Sequence, residues 1–148
     1  MKAFRFPLER VMHWRKMQLS LEEMKLGRLI GRRRELTAAV EHLDASVIEA
    51  TAGLRRKPEL EGSELNTLSH FQESAGKRRF ALLEDIGRCD EEIRLQRKAV
   101  QAAQRNHRLL ERLKEERLHK WSILYDREVE ALASESHLVR WVNERQSS

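Results

Sequence analysis

Glu116 and His119 have the Glu-x-x-His spacing that lets one helix face supply two ligands of a carboxylate-bridged di-iron centre. Such a centre needs a second copy of the motif and two further glutamates in a bundle core, and no second copy lies in facing register. No metal site is therefore expected. Cys89 is the single cysteine and has no histidine within a helical turn to act as its base, which predicts a small buried side chain rather than a nucleophile. A lone thiol also supports no disulfide framework and fits a reducing compartment. His107 falls on an otherwise apolar helical stripe and reads as a polar residue that specifies register, while the other five histidines are scattered. Gly27-x-x-x-Gly31 lies in a charged helical stretch and does not fit a phosphate-binding loop. No catalytic residue and no cofactor is expected, and the chain reads as a non-enzyme.

The elements that would carry these residues follow from composition. Of 148 residues, 40% are hydrophobic, 36% charged and 5% aromatic. That balance cannot fill a broad globular core, but it suffices for a seam between two helices. The two prolines stand at positions 7 and 58, so residues 59 to 148 lack the residue most hostile to a helix. A parallel sheet with a cleft is excluded on these grounds. Pro7 suits a first helical turn, giving helix 1 at about 7–56, and Lys57-Pro58-Glu59-Leu60-Glu61-Gly62-Ser63 is the one Pro/Gly cluster. Ser63 would cap helix 2, at about 64–143, in which Gly76 and Gly87 are each expected to cost ~1 kcal/mol relative to Ala. At ~1.5 Å per residue the helices would measure about 75 and about 120 Å.

Counting in alternating steps of three and four gives helix 1 a stripe of Leu8, Met12, Leu19, Leu26, Leu29, Leu36, Val40, Leu43, Val47, Ala50 and Leu54, broken by Arg15, Glu22 and Arg33. Helix 2 gives Leu65, Leu68, Ala75, Leu82, Ile86, Cys89, Ile93, Val100, Ala103 and Leu110, broken by Gln72, Arg79, Gln96 and His107. Both are coiled-coil seams. A short loop forces the helices antiparallel, so the expected fold is all-α: one coiled-coil domain, 1–148, in which position i faces roughly position 120 minus i. From about Lys114 onward helix 2 would have no partner in helix 1. That overhang carries Leu118, Trp121, Leu124, Tyr125, Leu132, Leu138, Trp141 and Val142, the kind of apolar face that meets another protein.

The 29 basic and 24 acidic residues leave a net charge of +5, with the signs interspersed. Lys25, Arg28, Arg32, Arg33 and Arg34 form one basic cluster in mid-helix. Arg55, Arg56 and Lys57 would meet Lys77, Arg78 and Arg79 at the hairpin end, a basic tip suited to an acidic protein surface. Nucleic acid is the competing partner, opposed by Glu59, Glu61, Glu64 and Glu73 nearby and by few aromatics for base stacking. No stretch approaches the 18 apolar residues of a membrane span, and Met1-Lys2-Ala3-Phe4-Arg5-Phe6 lacks the apolar region of a secretory signal. A cytoplasmic location is expected.

The opening Phe4-x-Phe6-Pro7-Leu8-Glu9-x-Val11, followed by a basic amphipathic helix, resembles the start of the flagellar type III export protein FliJ family. Leu110-Glu111-Arg112-Leu113-Lys114-Glu115, then Trp121 and Arg127-Glu128, resembles that family's second helix. The resemblance implies a stalk-like component of the bacterial flagellar export apparatus, peripheral to the membrane through its partners. It implies association with a FliI-like export ATPase, an FlhA-like export gate protein and export chaperones. It further implies that Phe4, Phe6, Leu8, Val11, Trp121 and Leu124 face the ATPase, and that Phe71, within Ser69-His70-Phe71-Gln72, contacts the gate. A nucleic-acid-associated coiled coil and a generic oligomerising rod remain the alternatives from other classes.

Overall fold

A computed structural model describes all residues, Met1–Ser148, and contains two α-helices and no strand. Helix α1 spans Glu9–Arg55 and helix α2 spans Gly62–Gln146. Pro7 precedes α1 rather than entering it. The Leu8 carbonyl accepts the first bond of the helix from the Met12 N–H at 2.8 Å, and the Glu9 N–H bonds back to Phe6 O at 3.1 Å. At the other end the Lys57 N–H reaches Leu54 O at 3.2 Å, a tightened last turn, and Pro58 then prevents continuation.

Ser63 is not the cap of α2. The Glu61 carbonyl accepts from both Glu64 N (3.1 Å) and Leu65 N (3.3 Å), so the helix starts earlier, at Gly62. Ser63 lies inside the first turn, its hydroxyl 3.5 Å from the Glu61 carboxylate. Gly76 and Gly87 both sit in unbroken helix.

The chain divides into two compact units, each built from a stretch of both helices. The hairpin unit, Ser20–Ala102, contains the turn and an apolar seam whose buried members are Val40, Ala75, Leu82, Cys89, Ile93 and Val100. All six lie on the stripes counted in the sequence, because a heptad repeat keeps the same face toward an antiparallel partner. Polar side chains pair across the seam in this register. Arg33 Nε is 2.5 Å from Asp90, Arg79 Nε 3.0 Å from Asp44, and Gln72 Nε2 3.3 Å from the Thr51 hydroxyl. Gln96 donates to the Glu22 carbonyl at 3.0 Å and also to the Glu22 carboxylate. These pairs fall within about three residues of the expected register, and they are largely the residues that interrupt the apolar stripes.

The terminal unit comprises Met1–Leu19 and Ala103–Ser148. Beyond Lys114 itself helix 2 has no partner in helix 1, as expected, but the first part of that overhang is covered by the segment before α1. Lys114 Nζ is 2.9 Å from Glu9, and the non-helical segment before α1 continues along α2. Trp121 Nε1 donates to the Lys2 carbonyl at 3.2 Å, and the terminal ammonium lies 3.2 Å from Glu128. The heptad count missed this because residues 1–6 have no helical period. Every residue from Ile123 onward is exposed.

Candidate functional site

In the terminal unit Phe4, Trp121 and Tyr125 are in aromatic contact, and Phe6 lines a pocket together with Phe4. Phe6 is the buried member, 7% exposed, with the Arg117 guanidinium 5.8 Å from its ring centroid. Phe4 lies 6.1 Å from Trp121 in a tilted arrangement, and Tyr125 stacks on Trp121 at 5.1 Å. The tilted Phe4–Trp121 contact and the Trp121 bond to the Lys2 carbonyl hold the first residues against α2. Of the six residues expected to face an ATPase, Phe6 is enclosed, Phe4, Leu8 and Trp121 are half-buried, and Val11 and Leu124 are exposed. A partner can reach the last two without unpacking the cluster. Beyond it, Leu132, Leu138, Val139, Trp141 and Val142 are between 44% and 60% exposed, and Arg145 covers the Trp141 ring at 4.0 Å.

In the hairpin unit Phe71 is 39% exposed and lines an open groove of about 440 Å³ with Ala50 and Leu54 of α1 and Thr67 and Leu68 of α2. The ring thus has one side on the helices and one toward solvent. Glu64 also lines this groove. Its Oε1 accepts from Lys57 at 2.8 Å, which holds the carboxyl below its ordinary value, while Oε2 is enclosed without a partner. A hydrogen-bond donor entering the groove would satisfy that oxygen.

The six residues of the expected basic tip are all exposed, but they are not equally available. Lys57 is held by Glu64, Lys77 by Glu73 at 3.7 Å, and Arg79 by Asp44 across the helices. Arg55, Arg56 and Arg78 carry the unpaired charge. Sequence counting could not separate the two sets, because Asp44 meets Arg79 only through the antiparallel register.

Glu116 and His119 are exposed. No group of three or more His, Cys, Asp or Glu side chains is placed to hold a metal ion. Cys89 is buried, and its thiol points to the Leu29 carbonyl at 3.4 Å. His107 sits on the stripe with Nε2 2.8 Å from Glu111 and Nδ1 enclosed without a partner. No helix is long and apolar enough to cross a membrane.

Comparison with protein-family models, with curated proteins and with solved structures finds no match for this chain.

Proposed function

We propose that this chain is a non-enzymatic, stalk-like component of a flagellar or related type III export apparatus, coupling an export ATPase to the export gate and handling export chaperones. The observation that carries the reading is the aromatic-anchored opening segment on α2. Two of the residues that resemble the FliJ family in sequence, Phe4 and Trp121, are in aromatic contact there, and a third, Phe6, is the buried residue of the same segment. Exposed apolar residues on α2 beyond the cluster suit a chaperone or ATPase contact.

The test is retention of a FliI-type ATPase by the purified chain, together with stimulation of ATP hydrolysis. Val11→Asp with Leu124→Asp should abolish retention while the helical signal stays intact. Unchanged retention removes this end from the ATPase interface. No retention by the unmodified chain overturns the reading in favour of a nucleic-acid-associated or generic coiled coil. Phe71→Ala should separately weaken binding of an FlhA-type gate protein, with ATPase retention unaffected.

A further inference from the structure

The hairpin unit carries a second surface that the export reading does not use. A groove of about 830 Å³ runs beside the seam, floored by Ile30 and Ile93 and walled by Arg33, Arg34, Arg94, Arg97 and Lys98. Two of those cations are committed within the chain. Arg33 is bound to Asp90, and Arg94 forms a two-pronged contact with Glu91, at 2.9 and 2.5 Å. Arg34, Arg97 and Lys98 form no ion pair.

On α2 the groove residues Arg94, Arg97, Lys98 and Gln101 are spaced i, i+3, i+4 and i+7, so they form one row of donors along the helix face. Arg34 adds a further donor from α1. A row of this period is matched by a second helix whose carboxylates recur at the same spacing, and each guanidinium fork pairs with a carboxylate in two bonds.

We propose that this groove docks an acidic helix of another protein, with Arg34, Arg97 and Lys98 as its anchors. Nucleic acid fits less well. Asp90 lies in the groove wall and Glu91 beside it, where they oppose phosphates, and no aromatic side chain lines the groove for base stacking. The same carboxylates are compatible with a protein segment, which brings cations as well as anions. Because the walls are exposed, attraction across this surface acts mainly on association and specificity, and it weakens as salt screens it.

The test uses a capped, alanine-based helical peptide bearing Glu at i, i+4 and i+7, its Glu→Gln counterpart, and oligodeoxythymidylate as the nucleic-acid probe. The acidic peptide should bind the full chain at low salt, and the Gln peptide should not. The triple variant Arg34→Glu, Arg97→Glu, Lys98→Glu should lose at least about tenfold in affinity. A control triple with the same charge change, Arg55→Glu, Arg56→Glu, Arg78→Glu, should stay within about twofold. Equal loss in both triples would reduce the effect to net charge and overturn the proposal. So would tighter binding of oligodeoxythymidylate that depends on the same three residues, or no peptide binding at low salt. Should the groove triple not fold, amide shifts in the unmodified chain decide the matter: they should concentrate at 30–34 and 90–101, and shifts elsewhere overturn it.

Discussion

The hairpin unit and the terminal unit are built from the same two helices but are held by different interactions. In Ser20–Ala102 an apolar stripe faces an apolar stripe, and polar residues placed within the stripes pair across them. In the terminal unit the partner of α2 includes an irregular segment, whose hold rests on Phe6 and on contacts to a single indole. A repeating seam spreads its free energy over many similar layers, whereas a single cluster concentrates it in a few side chains. The first arrangement tolerates a lost residue anywhere only in part, and the second depends on one or two positions almost wholly.

The sharpest way to break that contrast is to place a charge in each unit. Leu82→Asp, at a position 5% exposed, should destabilise the chain by roughly 3 kcal/mol or more, because it puts an unpaired carboxylate in the seam. Leu132→Asp, at a position 58% exposed, should stay within about 0.5 kcal/mol. Thermal and denaturant unfolding followed by circular dichroism reads both, and equal losses would mean that the α2 terminus is covered in solution.

Phe6→Ala comes next. It should cost about 3 kcal/mol locally, by loss of the buried ring, and release residues 1–8. Hydrogen exchange at Lys2 to Leu8 and around Trp121 should then rise, with protection at Leu82 to Val100 unchanged. A global loss of protection would show that the two units unfold together.

A smaller effect is expected from the Asp44–Arg79 pair, both of whose side chains are more than 40% exposed. A double-mutant cycle with Asp44→Ala and Arg79→Ala should give a coupling of about 0.2–1 kcal/mol. A larger coupling would mark this pair as a main determinant of register.

The weakest handle is acid. Gln96 donating to Glu22, Lys57 to Glu64 and Arg94 to Glu91 hold these carboxyls below their ordinary value of 4.5. A lowered folded-state value means stabilisation that is fully present above about pH 4.5 and is lost as pH falls through the lower, folded value. Since all three groups are in the hairpin unit, Glu22→Gln should make unfolding of that unit less sensitive to acid. An unchanged acid profile would show that these contacts are not formed in solution.

The heptad count contains every buried residue of the seam, including Val40, Cys89 and Val100, but it also includes Leu65, which is exposed. Its helix 2 stripe leaves out Phe71, and the structure leaves that ring partly exposed. What it misjudged was local. Glu61 rather than Ser63 accepts the first helical bonds, because a cap is set by backbone dihedrals that residue preference only biases. That Gln72, Arg79, Gln96 and Arg33 pair across the seam was not visible in the count, which showed them as interruptions of the stripe.

The sequence by itself determined that the chain is two helices with a turn near 58, because helical period, proline placement and a narrow apolar stripe are properties of consecutive residues. Only the tertiary structure decided which interruptions are partners, such as Glu22 with Gln96, which arginines stay unpaired, and that the opening segment lies on Trp121. Those outcomes depend on residues separated by 74 and 119 positions meeting in space. A local period constrains the face that each residue occupies, but a shift of a few residues in register would exchange every one of those partners while leaving both helices unchanged.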